Sequence, residues 1–146
     1  MLFDLVSGQI VPVPGLMALL DRADRAGVPM VAVTNAPRAN AELLLSGLGV
    51  AHRFKALVIG DELEHGKPHP LPYLEGLRLA GAAASASLAF EDSRSGIQSA
   101  TAAGIATIGM RTGLSHADLL AAGAVASARA FDDPELIRLV ASAMTW

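Results

Sequence analysis

Cysteine is absent from the 146 residues, which excludes a disulfide framework, a thiol nucleophile and a thiolate metal site. Aromatic residues are scarce, 4% of the chain, so a core must be built from Leu, Val, Ile and Ala. Charged residues reach only 17%, the net charge is −3, and no basic run occurs. Nucleic acids and anionic membrane surfaces require a basic face, so neither is expected as a partner. No apolar run approaches the roughly 18 residues of a membrane span. The opening Met1-Leu2-Phe3-Asp4-Leu5-Val6 lacks the positive n-region of a secretion signal. The expectation is a soluble cytoplasmic domain. What is present is hydrophobicity, 52% of residues, which excludes a disordered chain and suffices for one core.

Apolar runs alternate with helical patterns. Leu16, Leu19, Leu20, Ala23 and Ala26 recur at helical spacing, with Asp21, Arg22, Asp24 and Arg25 on the other face and Gly27 as a stop. Residues 29–34 read as a buried strand, 39–48 as a helix and 56–59 as a second strand. Residues 60–70 read as a loop, because Gly66, Pro68 and Pro70 oppose a helix. Beyond it come a helix over 71–79, a strand over 87–90, a helix opening at Gly96 and a strand over 105–109. A helix over 115–122 is capped by Ser115, and a weak strand lies within 124–130. The last helix, 134–144, is capped by Asp132 or Asp133 with Pro134 in its first turn. This alternation predicts an α/β, Rossmann-like parallel sheet with helices on both faces.

In such sheets ligands bind beyond the carboxyl ends of the strands. Three polar clusters fall there: Thr34-Asn35, Lys67, and Glu91-Asp92-Ser93. Alone, Thr34 is an ordinary β-branched strand residue, Lys67 a solvated loop lysine, and Glu91-Asp92 an acidic helix cap. Together they compose a site for phosphate and a divalent metal. A hydroxyl and an ammonium hold phosphoryl oxygens, while paired carboxylates suit a hard cation such as Mg²⁺. His65 and His69 are spaced i, i+4 beside Glu64, but Gly66 and Pro68 place them on a loop rather than on a zinc-binding helix face. His52 and His116 read as surface or capping residues, and Trp146 as a packing residue.

Val31-Ala32-Val33-Thr34-Asn35, Gly66-Lys67-Pro68-His69-Pro70 and Phe90-Glu91-Asp92-Ser93-Arg94-Ser95-Gly96-Ile97, in this order, resemble the haloacid dehalogenase superfamily. The likeness is to its β-phosphoglucomutase and phosphoglycolate phosphatase branch and runs from Val11 to about Ala143. The resemblance implies a Mg²⁺-dependent phosphatase or phosphomutase acting on a phosphorylated small molecule. Thr34 would hydrogen-bond the transferring phosphoryl group, helped by the Asn35 backbone. Lys67 would neutralise phosphoryl and nucleophile charge, so Lys67 and Asp92 are the catalytic candidates. Asp92 and Glu91 would bind Mg²⁺, Ser93 and Gly96 would shape that loop, and Arg38 would face substrate.

The departure lies at the start. The family's first motif, Asp-x-Asp-x-Thr, supplies the nucleophile and the general acid/base and stands before a helical cap. Gly8-Gln9-Ile10-Val11-Pro12-Val13-Pro14-Gly15 resembles the segment that ends the cap. On that reading residues 1–14 are a cap remnant or linker, residues 15–146 are a truncated core without its cap, and the nucleophile is missing. The chain alone is then inactive. Residues 1–6 would stay out of the sheet, leaving the strands that end at Thr34 and Asp92 to close on each other or to pair with a second copy. A second alignment places Asp4 at the nucleophile position, with Val6 replacing the acid/base Asp. The Pro-x-Pro-Gly match favours the first. The rival in function is a non-catalytic binding or assembly module on the same fold.

Overall fold

The computed structural model describes residues 1–3 and 13–146. Its elements follow in order: β1 (Leu2–Phe3), α1 (Leu16–Arg25), β2 (Val31–Thr34), α2 (Arg38–Leu48), β3 (Ala56–Ile59) and α3 (Leu71–Ala80). Then come β4 (Leu88–Glu91), α4 (Arg94–Ala102), β5 (Ala106–Met110), α5 (His116–Ala122), β6 (Ala126–Ala128) and α6 (Pro134–Met144). All strands are parallel, in the order β3-β2-β1-β4-β5-β6. The predicted fold class is observed. Among the described residues no element stands apart as a cap.

Each local signal acts as its chemistry requires. Ser115 accepts from the N–H of Asp118 and caps α5, and Asp133 accepts from the N–H of Glu135 and caps α6. Helix α4 starts two residues earlier than expected, because the Ser93 side chain accepts from the N–H of Gly96 and closes the first turn. Trp146 packs under the Arg22 guanidinium, 5.3 Å from its ring centroid.

The expectation for the first residues is corrected. Leu2 pairs with Val31 on one side and Ala89 on the other, and Phe3 with Ala32 and Phe90. Residues 2 and 3 therefore form the central strand and are not a cap remnant. No open gap separates β2 from β4 at these rungs, and the outer strands are β3 and β6. The physical reason is the backbone: strands two spacings apart would strand donors and acceptors in the middle of the sheet, at about 1–3 kcal/mol for each buried group. Of the expected cap-end segment, residues 8–15, residues 8–12 lie outside the described residues, as does Asp4.

Strand alternation splits the core into two layers. Phe3 faces the layer of α1, α2 and α6, where Leu19, Leu20, Leu45, Phe90, Phe131, Leu136 and Val140 gather. Its ring stacks on Phe90 with centroids 4.8 Å apart, meets Phe54 edge to face, and lies tilted against Phe131. Leu2 faces the opposite layer with Val31, Val33, Val58, Tyr73, Leu77 and Ala100, covered by α3 and α4. Helix α5 joins that side through Leu119 against Ile97.

Candidate functional site

Parallel strands deliver their carboxyl ends to one edge, and the loops after β2, β3 and β4 meet there. Thr34 ends β2, is 3% exposed, and its hydroxyl accepts from the N–H of Ala36. That bond folds the chain sharply after the strand. Asn35 then clamps the loop after β3 to the end of β2. Its Nδ2 donates to the Lys67 carbonyl at 3.2 Å, and its Oδ1 accepts from the Lys67 N–H at 3.1 Å. The side chain, not only the backbone, thus fixes the lysine's position. The Lys67–Pro68 peptide is cis.

The clamp directs Lys67 inward. Its Nζ donates to the Val33 carbonyl at 2.9 Å and to Glu91 Oε2 at 2.5 Å. The two charged side chains are 3% and 0% exposed. Such an ion pair holds only when its hydrogen bonds compensate the lost water. One further bond is provided by the hydroxyl of Tyr73 on α3, which also donates to Glu91 Oε2. The Lys67 ammonium lies 5.3 Å from the Tyr73 ring centroid. Across from them, α4 begins tight against the carboxylate: a Cβ at Gly96 would sit 1.8 Å from Glu91 Oε1. Only glycine lets α4 approach this closely.

Asp92 follows on the more open side of the same edge, where its Oδ2 accepts from the Thr112 hydroxyl at 3.3 Å. The structure therefore brings Thr34, Asn35, Lys67, Glu91, Asp92, Ser93 and Gly96 to one edge. It divides the expected metal pair: Glu91 is buried against Lys67 and Tyr73, and Asp92 is partly exposed. Arg38 is engaged elsewhere. Its guanidinium bonds both carboxylate oxygens of Glu62, at 2.7 and 2.9 Å, and Glu42 at 3.3 Å. Those bonds, Glu62 first, raise its already high pKa. His65 and His69 stack with centroids 4.3 Å apart on the loop, and His69 Nδ1 accepts from the N–H of Leu71.

Sequence reasoning missed Tyr73 and Thr112. Thr112 carried no signal. Tyr73 carried one: it is the single tyrosine of the chain, on a helix face otherwise filled by Gly76, Leu77 and Ala80. A tyrosine buried among such residues needs a partner for its hydroxyl.

An ammonium held by a strand-end carbonyl at 2.9 Å and by a buried carboxylate can neutralise an oxyanion, and the adjacent open carboxylate can attract a cation. Among the described residues no three His, Cys, Asp or Glu side chains form a metal-binding group, and no helix is long and apolar enough to cross a membrane.

The family model of haloacid dehalogenase-like hydrolases matches residues 4–110. Protein CbbY of Rhodobacter capsulatus is 37% identical over 107 residues, covering 71% of this chain and 47% of that protein. A phosphoglycolate phosphatase of Pectobacterium atrosepticum is 40% identical over 94 residues, covering 64% of this chain and 40% of the relative. Among solved structures, a HAD family hydrolase from Deinococcus radiodurans R1, with bound phosphate and sodium, is similar with a TM-score of 0.81. The identity there is 25%, over 90% of this chain and 59% of the other. CbbY from Rhodobacter sphaeroides in complex with xylulose-(1,5)bisphosphate gives a TM-score of 0.71 at 27% identity, over 82% and 54% of the two chains. The chain spans about half the length of the curated relatives it matches.

Proposed function

Because the chain belongs to the haloacid dehalogenase-like hydrolase family, we propose that it is the phosphoryl-binding core of a phosphatase or phosphomutase for phosphorylated small molecules. The observation that carries this reading is the buried Lys67 ammonium, clamped through Asn35 and aimed by Val33 and Glu91 at the carboxyl edge of the sheet. Thr34 and the Asn35 backbone take phosphoryl oxygens, and Lys67 neutralises their charge. The substrate class is supported by relatives that are named phosphoglycolate phosphatases and by the sugar bisphosphate held by a structural neighbour.

Mg²⁺ is the metal the family implies. The donor set fits it in kind, since carboxylate oxygens are hard ligands. Asp92, on the open side, would hold it, with Glu91 behind it. Bound there, Mg²⁺ would supply further neutralisation of phosphoryl charge.

Turnover is a separate question. The placement of Leu2 and Phe3 favours the alignment in which the next residue, Asp4, takes the nucleophile position, although Asp4 itself is outside the described residues. In that alignment Val6 replaces the acid/base carboxylate, and a leaving group departs without a proton donor. The proposed chain therefore binds phosphate but transfers phosphoryl groups poorly.

The test pairs two measurements on this chain. Calorimetric titration with inorganic phosphate should show saturable binding that Lys67→Met abolishes. Hydrolysis of an alkyl phosphate monoester with Mg²⁺, whose leaving alkoxide needs a proton, should stay at background. Turnover that disappears in Asp92→Asn would overturn the inactive reading, and its loss in Asp4→Asn as well would make Asp4 the nucleophile. Absence of any phosphate binding would leave the binding or assembly module in its place.

A further inference from the structure

We propose that Tyr73 is a positioning residue for the phosphate-binding lysine, acting through Glu91. The inference rests on the reading of Lys67 given above. Tyr73 is fully buried, and its hydroxyl donates to the same Glu91 oxygen that receives the Lys67 ammonium. A glutamate carboxylate turns easily about its last torsion, and a lysine stem has many rotamers. Without a further contact on the carboxylate, the pair would keep part of that freedom. A hydroxyl on a rigid ring removes that freedom, because it fixes the plane of the carboxylate from a third element of the fold. The same ring lies against the ammonium, 5.3 Å from ring centroid to Nζ, and narrows the lysine's path further.

The position of the ring is itself built in. Gly76 lies three residues after Tyr73, on the same face of α3. A Cβ at Gly76 would be 2.7 Å from Leu2 Cδ2 and 3.3 Å from Val33 Cγ2. The missing side chain therefore lets α3 settle onto β1 and β2, and this depth brings the Tyr73 hydroxyl within reach of β4. Phenylalanine would satisfy the same apolar neighbours. The added hydroxyl donates to the carboxylate that aims Lys67. A charge fixed before ligand arrives stabilises an oxyanion more than one that must be ordered on binding.

The experiment uses the whole chain and its two lysines. Lys55 is exposed and Lys67 buried, so Lys55 is an internal control. In nitrogen-15-labelled protein the held Lys67 ammonium should give a resolved side-chain cross-peak. In Tyr73→Phe that peak should broaden or shift, with the Lys55 signal unchanged. Affinity for inorganic phosphate should fall about tenfold, the scale seen when an outer partner of a ligating group is removed. A folded Tyr73→Phe with the parent's Lys67 cross-peak and the parent's phosphate affinity would overturn the proposal. Should Tyr73→Phe not fold, Gly76→Ala lifts the ring instead and is expected to move both readouts the same way; no movement would likewise overturn it. Failure of the underlying reading is distinguishable: Lys67→Met would then leave phosphate affinity unchanged, while the cross-peak comparison still decides whether Tyr73 holds the lysine.

Discussion

Two of the ion pairs to which the loop between β3 and α3 contributes differ in almost everything except formal charge. Glu62 pairs with Arg38 through two bonds, and both side chains are nearly half exposed, at 48% and 45%. Lys67 pairs with Glu91 through one bond, and neither has appreciable contact with water. Water screens the first pair and competes for both partners, so its worth is small. The second pair has lost its hydration and depends on each compensating contact, from Val33, Asn35 and Tyr73. Geometry alone would rank the bidentate pair higher. Burial reverses the ranking, and the buried pair is the one that the proposed function assigns to a phosphoryl charge.

The sharpest way to break this comparison is Glu91→Gln. It removes the Glu91 charge from beside the buried Lys67 ammonium, and the expected loss is about 3–5 kcal/mol in urea unfolding. Lys67→Met combined with Glu91→Leu should recover most of that loss while abolishing phosphate binding, and a double-mutant cycle would read the coupling. Gly96→Ala comes next. Its Cβ would collide with the Glu91 carboxylate, and overpacking of this kind costs about 1–3 kcal/mol. Thermal melts should show the loss, and phosphate affinity should drop with it.

Asp133 is a partly exposed carboxylate bonded by backbone donors. The N–H of Glu135, then that of Arg129, hold its pKa below the ordinary carboxylate value. A lowered pKa stabilises the fold above the unfolded-state value, and the benefit fades as pH falls through the folded one. The urea midpoint of the parent should therefore exceed that of Asp133→Asn at neutral pH. The difference should shrink once the pH drops below about 4. A difference that grows with acid would reverse the assignment. The smallest effect is expected for Arg38→Ala, with no resolvable change in melting temperature or phosphate affinity; a clear loss of affinity would restore Arg38 as a substrate contact.

Most of the sheet was legible because each of β2 to β5 carries an apolar run and is followed by a punctuated helix. β1 was not. Two residues, Leu2 and Phe3, are too few to show a period, and the Pro-x-Pro-Gly segment pointed to a cap end. What places them is the need of β2 and β4 for a partner between them, a tertiary demand that no local pattern records. The site divides in the same way. Thr34, Lys67 and Asp92 could be read from their places at strand ends. The separate environments of Glu91 and Asp92 could not, because β4 ends between them, and what lies against Glu91 is set by α3 and α4.

The position of β1 also orders assembly in time. Its partners lie near residue 31 and near residue 89, on either side of it in the sheet. During synthesis Leu2 and Phe3 emerge before β2 and β4, and one edge of their slot does not exist until β4 has followed. Until then the strand can pair only with β2, and the Phe3 ring has no Phe90 to stack on. The centre of the sheet is thus closed by contacts far apart along the chain, the kind that form late and slow folding. Through that interval a short apolar strand with one unpaired edge is exposed to neighbouring chains, and domain exchange through residues 1–3 is the misfolding route that this topology leaves open.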